Sequence, residues 1–317
     1  MKYNIKLKNT ILILASFFAL NGYAYNWPLT NGTVQYQINA TFGECRGTRD
    51  HFHNGVDIQA TQGTAVLAIE GGIAYISAGS AGVSIGQYRY YHLTNIAVQN
   101  QQTITAGTVI GYTDGGNHIH FIECTQVINF YGDVPNNLCA NPLINGGLTP
   151  FTDKGDPVID NVTIYRQGTN DVVILGTFYG QLDFAVQAHD PGVTSTGGAN
   201  NASTCGIYSV SIEFRDGNNN LIGQPINYLN FNNLPNNSNI NWAFANGTNS
   251  STFIYWATND PFNGPYNKYW NTRQRVNSNF DVDARYAGEA LYNEGVISIT
   301  VVVEDVAGNR TTRELTP

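Results

Sequence analysis

At 317 residues the chain is long enough for two domains, each with its own core, and only 12% of its residues are charged. A formal charge of −8 argues against nucleic acid as the main partner and against simple electrostatic attraction to an anionic wall or membrane. The abundance of Gly, Asn, Thr, Tyr and Phe favours many short strands and turns over long solvated helices.

The first residues set the expected compartment. Lys2, Lys6 and Lys8 precede an apolar run over residues 11–20, and Gly22-Tyr23-Ala24 offers small residues for cleavage. This pattern is that of a secretory signal peptide over residues 1–24, cut after Ala24. The run is too short to span a bilayer, and no cysteine follows it to carry a lipid anchor. No other stretch approaches transmembrane length, so an exported chain, periplasmic or extracellular, is expected without a membrane-spanning segment.

Strand-like segments then follow one another. Residues 34–38 alternate, and a turn-rich stretch through Gly43-Glu44-Cys45-Arg46 leads into His51-Phe52-His53-Asn54-Gly55-Val56-Asp57. Gly55 lets the backbone bend or approach closely between His53 and Asp57. Further strands are expected over 65–69, 73–76, 88–93 and 109–112, and His118 to Ile122 closes this unit after the loop Asp114-Gly115-Gly116-Asn117. A Pro-, Gly- and Asn-rich stretch over 136–155 marks a domain boundary, giving domains 25–155 and 156–317. Beyond it, alternating segments over 158–165, 172–175, 182–188, 208–214 and 296–304 suggest an immunoglobulin-like β-sandwich. Asp305-Val306-Ala307-Gly308-Asn309 resembles the closing turn of bacterial immunoglobulin-like modules. The fold class expected is all-β and antiparallel throughout. The region 216–279 is dense in aromatics, including Trp242, Trp256 and Trp270; core packing is the plainer reading, and stacking on sugars or contact with a partner the alternative.

Four cysteines, Cys45, Cys124, Cys139 and Cys205, remain after export, and an oxidising compartment permits disulfides. Cys124 with Cys139 is the first pairing expected. No CxxC pair supports a cysteine metal site.

Five of the six histidines fall between His51 and His120. Histidine is the commonest metal ligand, and an aspartate four residues after His53 can add an oxygen to the same ion. Side chains at i and i+2 of a strand share a face, so His118 and His120 can both face one site. His53, Asp57 and one of the pair His118/His120 give three protein ligands, the number typical of a catalytic zinc site completed by water.

These motifs carry a resemblance. His53-Asn54-Gly55-Val56-Asp57, Tyr90-Tyr91-His92-Leu93 and His118-Ile119-His120-Phe121 stand in the order of the lysostaphin-like zinc peptidases, the peptidoglycan endopeptidases. Gly63-Thr64-Ala65-Val66 and Ala106-Gly107-Thr108-Val109-Ile110-Gly111 are similar to the stretches between those motifs, so the resemblance covers residues 35–125 and not the second half. It implies one Zn2+ per chain held by His53, Asp57 and His120, with His92 and His118 beside it as general base or oxyanion stabiliser. It also implies a peptidoglycan or peptide substrate. The sequence departs from the family at Ile122, where Glu is usual. Glu123 falls on the opposite strand face, and His51 is an extra histidine assigned at most to the surroundings of the site. The alternatives are a non-catalytic metal-binding module of the cell envelope, for regulation or adhesion, and a peptidase for extracellular proteins. The partner of the second half is not legible in the sequence.

Overall fold

The computed structural model describes residues 24–315 except 78, 80, 130, 145, 167–168, 174–180, 193–203, 222–224, 260, 263–269 and 272–295. Apart from Ala24, the expected signal peptide lies outside the described residues. The first half runs β1 (Ile38–Ala40), β2 (Cys45–Arg46), β3 (His51–Phe52), β4 (Val56–Gln59), β5 (Ala65–Leu67), β6 (Gly72–Ile76) and β7 (Gly82–Ile85). It continues through β8 (Tyr88–Tyr91), β9 (Leu93–Thr94), β10 (Thr103–Ile104), β11 (Val109–Thr113), β12 (His118–Cys124) and β13 (Cys139–Ala140). The second half runs β14 (Val158–Arg166), β15 (Gln181–His189), β16 (Ser209–Asp216), β17 (Ile226–Asn230), the single-turn helix α1 (Ile240–Ala243) and β18 (Ile254–Trp256). It ends with β19 (Trp270–Asn271), β20 (Val296–Glu304) and β21 (Arg310–Leu315). All pairings between these strands are antiparallel, as the composition led us to expect.

An eight-stranded sheet, ordered β1-β4-β12-β8-β7-β6-β10 with β13 added to β12, forms the body of the first half. In β12 the alternation is plain: Ile119 and Phe121 are buried on one face, while His118 and His120 are half-buried on the other. β4 repeats it, burying Val56 and Ile58 and turning Asp57 to the histidine face. Two four-stranded sheets, β14-β15-β18 with β19, and β17-β16-β20-β21, make up the second half.

The two halves keep separate sheets, touching through an isolated bridge between Ala140 and Asn233. Their apolar residues nevertheless form one continuous buried cluster. Phe52 packs on Phe231 and Phe244 with ring centroids 6.3 and 5.9 Å apart. Full burial of such a ring is worth about 1.5–3 kcal/mol. Polar ties run alongside: Asn136 donates to the Pro235 carbonyl at 2.7 Å and Asn141 to that of Phe231 at 3.1 Å. The aromatic-rich region follows the core reading in part, since Phe231, Phe244, Phe253 and Tyr255 are buried while Trp242 and Trp256 are half-buried.

Several expectations are corrected. The first strand starts at Ile38 rather than Val34. The strand expected over 88–93 breaks at His92, whose φ of 61° places it in the left-handed region between β8 and β9. The sequence reading ended its strands at Glu304, whereas β21 follows the Asp305 turn and pairs with β20. Cys124 and Cys139 sit opposite each other in the β12–β13 register, yet no disulfide joins them. Among the described residues no helix is long and apolar enough to cross a membrane.

Candidate metal centre

Register places the site. Asp57 on β4 lies directly opposite His120 on β12, and Tyr91, the last residue of β8, lies opposite His120 on the other side. His92 follows Tyr91 immediately, so the left-handed turn swings its ring over the edge of β12. Its centroid is 4.5 Å from that of His118 and 6.4 Å from that of His120. His53 enters from the loop before β4, held by backbone hydrogen bonds from its N–H to the Glu44 carbonyl and from Gly43 N–H to its own carbonyl, each 2.8 Å. Gly55 lies between the two motif residues because nothing larger fits: a Cβ there would stand 2.3 Å from the Phe121 carbonyl oxygen and 3.0 Å from His120 Cε1.

Three donor atoms converge. His53 Nε2 is 2.9 Å from His120 Nδ1 and 3.1 Å from Asp57 Oδ1, and His120 Nδ1 is 2.9 Å from the same oxygen. The other ring nitrogens define the tautomers. His53 Nδ1 lies 2.7 Å from the Thr41 carbonyl, which only accepts, so this nitrogen carries the proton and Nε2 presents a lone pair. His120 Nε2 lies 3.2 Å from Asn54 Oδ1, which leaves Nδ1 as the bare nitrogen by the same reasoning. Burial lowers His53 to about 4, against the opposing pull of the Asp57 charge, so its ring is neutral near pH 7. For Asp57, burial raises the carboxyl, but the facing imidazoles of His53 and His120 outweigh it and hold it well below the usual carboxylate range.

Two imidazole lone pairs and a carboxylate oxygen therefore point at one another, an arrangement that repels unless a cation sits among them. Bonds of 2.0–2.1 Å to a tetrahedral zinc put neighbouring ligand atoms about 3.3 Å apart. The observed triangle is close to that spacing, and nitrogen–oxygen donors of this kind suit zinc. His53, Asp57 and His120 are thus able to hold a metal ion.

Around this triangle stand residues that the sequence reading did not single out. Arg46 Nη2 donates to Asp57 Oδ2 at 2.7 Å and fixes the carboxylate so that Oδ1 faces the histidines. Glu44 is buried behind it, accepting from Thr41 N–H at 2.6 Å and from Gly206 N–H at 2.8 Å. Glu44 thereby orients the Thr41 carbonyl that holds His53 and ties it to the second half of the chain. Burial, opposed by the Arg46 charge, raises the Glu44 carboxyl to about 7. The only local hint was the turn-rich approach to His51; the contacts themselves depend on tertiary register.

His118 donates from Nδ1 to the Gly116 carbonyl at 2.8 Å, which leaves Nε2 as a lone pair 3.9 Å from Asp57 Oδ1. His92 has Nδ1 3.9 Å from Asp114 Oδ2, and burial followed by the charges of His118 and His120 lowers it, so it is neutral near pH 7. His51 is exposed and pairs with Asp50 at 2.5 Å, away from the triangle. Glu123 is taken up by Tyr25, whose hydroxyl donates to it at 2.5 Å.

No protein-family model and no curated protein matches the chain. Among solved structures, it is similar to the catalytic domain of the antimicrobial peptidase lysostaphin from Staphylococcus simulans, at 22% identity over 34% of this chain and 90% of that one, with a TM-score of 0.26. Full lysostaphin from the same organism matches at 18% identity over 56% of this chain and 89% of that one, with a TM-score of 0.31. A zinc-containing peptidase from Vibrio cholerae matches at 23% identity over 36% of this chain and 41% of that one, with a TM-score of 0.27.

Proposed function

We propose that the chain is an exported zinc metalloendopeptidase that hydrolyses peptide bonds in peptidoglycan stem peptides or cross-bridges. The observation that carries this is the convergence of His53 Nε2, Asp57 Oδ1 and His120 Nδ1 at mutual distances of 2.9–3.1 Å, with two further histidines beside them. The order of the three histidine motifs supports the peptidoglycan substrate class. Residues 25–155 would form the peptidase domain. Residues 156–317 would form an immunoglobulin-like sandwich that positions it.

Zinc, when bound, supplies Lewis acidity that lowers the pKa of water to about 7 and polarises the scissile carbonyl. The chain supplies the rest. The Gly116 carbonyl fixes the His118 tautomer so that Nε2 accepts the proton of the attacking water and later passes it to the leaving amine. His92 lies against His118, from where its ring would supply the second polar contact, to the developing oxyanion. Its left-handed backbone is the kind of strain that collects at reacting sites. Arg46, Asn54 and the Thr41 carbonyl keep the three ligands in their tautomers and orientations.

The test is release of new amines from purified peptidoglycan by the chain without residues 1–24. A chelated sample and His118→Ala serve as controls, with zinc content measured in each. Cleavage by the wild type that is lost in both controls, while the variant retains zinc, supports the peptidase. A chain that binds zinc but cleaves neither peptidoglycan nor other extracellular peptides supports the binding-module alternative instead.

A further inference from the structure

A second cluster stands apart from the histidines. Asp153, Asp190 and Asp305 each place a carboxylate oxygen within 4.8 Å of the others. Their residues are only 8%, 0% and 1% exposed. Asp153 lies on the segment joining the halves, Asp190 directly follows β15, and Asp305 directly follows β20, within the Asp305-Val306-Ala307-Gly308-Asn309 turn. The three come from distant parts of the chain and meet where the connecting segment crosses the ends of both sheets.

Each carboxylate is aimed by its own loop. Gly155 N–H donates to Asp153 Oδ1 at 2.9 Å, Gly192 N–H to Asp190 Oδ1 at 3.1 Å, and Ala307 and Asn309 N–H to Asp305 Oδ1 at 2.8 and 2.9 Å. Asn309 also bridges the cluster, donating from Nδ2 to Asp305 Oδ2 at 2.8 Å and to the Asp153 carbonyl at 3.2 Å. The remaining oxygens of Asp153 and Asp190, both Oδ2, are buried without a well-placed donor among the described residues, and the two carboxyls lie close enough to share a proton between them. The neighbouring His189 is committed to Asp160 at 2.8 Å. Two such buried carboxylate oxygens beside a third carboxylate are costly, and either bound protons or a cation relieves the cost.

We propose that Asp153, Asp190 and Asp305 bind one divalent cation of the calcium class at the junction of the connecting segment with the two sheets of the second half. The donor set is hard oxygen alone, without the nitrogen or sulfur that zinc prefers, and the cation's six to eight positions accept carbonyls and water beside three carboxylates. Without the cation, burial, then the charges of Asp153 and Asp305, push Asp190 up to about 8. Burial likewise pushes Asp305 up to about 6. Bound cation fastens residues 153–155 to β15 and β20, and so stiffens the route between the two halves.

The test is calcium binding to the chain without residues 1–24, freed of metal by chelation, by equilibrium dialysis and thermal unfolding. His120→Ala runs in parallel to remove the histidine site from the count. The expected result is one calcium per chain in wild type and in His120→Ala, with a rise in thermal midpoint of about 5 °C or more at saturation. Asp190→Asn binds at least about 10-fold more weakly and loses that rise, while its calcium-free midpoint is no lower than wild type because the amide, like the carboxyl that burial keeps protonated without the cation, is uncharged. Should Asp190→Asn fail to fold, Asp153→Asn decides, since its amide oxygen still accepts from Gly155. No calcium bound at millimolar concentration, unchanged binding in the folded variant, or tighter binding of magnesium than of calcium overturns the assignment.

Discussion

Replacing Gly55 with Ala tests whether the two central strands must approach as closely as they do. The backbone at Gly55 is not in the left-handed region, so Ala is tolerated by its torsions, and the perturbation is the methyl group alone. That methyl would stand 2.3 Å from the Phe121 carbonyl oxygen, well inside any permitted contact, and 3.0 Å from His120 Cε1. The obstacle is backbone of β12 rather than the end of a flexible side chain, so β12 and the loop before β4 have to move apart. Overpacking of this kind costs about 1–3 kcal/mol. The reduced freedom of the unfolded chain returns roughly 0.4–1 kcal/mol of it. A net loss of about 1–2 kcal/mol lowers the thermal midpoint by several degrees. The same displacement separates His120 from Asp57 and His53, for which about 10–100-fold weaker zinc binding is expected. The assay is competitive zinc titration together with thermal unfolding, with Gly115→Ala as control because a Cβ there meets nothing within 4 Å. A Gly55→Ala variant with wild-type zinc affinity and midpoint would refute the packing argument.

His118→Ala should leave zinc content unchanged and lower the rate of peptide hydrolysis by about 10²–10⁴-fold, read from initial rates at fixed substrate. Arg46→Met removes the donor to Asp57 Oδ2, and zinc affinity should fall about 10-fold or more by competitive titration, with activity recovered at excess zinc. Glu44→Gln alters the pH dependence of stability in the metal-free chain. The folded acid holds its proton up to about 7, whereas the unfolded group releases it near 4.5, so wild type loses stability as pH rises through that window. The Gln variant, which can still accept from Thr41 and Gly206, lacks that loss; its stability relative to wild type should rise by up to roughly 3 kcal/mol between pH 4.5 and 7 in urea titrations.

The strand pattern was legible because period-2 alternation is local: β12, β15, β16 and β20 fall close to where the sequence puts them. That His53, Asp57 and one of the pair His118/His120 could share a site was legible for a related reason, since one strand face and a four-residue spacing are also local properties. The choice of His120 came from the motif resemblance. What escaped was set by contacts between distant segments. Arg46 reaches Asp57 only because the β2–β3 hairpin folds over β4, and nothing at residue 46 announces this. The left-handed turn at His92 was hidden inside an aromatic run that reads as uninterrupted strand. Phe52 meeting Phe231 and Phe244 likewise depends on how the halves dock, so alternation could not show that they share one buried cluster. The Asp153, Asp190 and Asp305 cluster is the extreme case, assembled from three loops with no motif joining them.

The most direct test of the central claim is zinc-dependent hydrolysis of purified peptidoglycan by the chain lacking residues 1–24, measured on samples of known metal content. A zinc peptidase gives new amines in proportion to bound zinc, near one ion per chain at full activity, with activity lost on chelation and restored by added zinc. A folded chain that binds no zinc, or one that releases amines equally well after chelation, contradicts the claim.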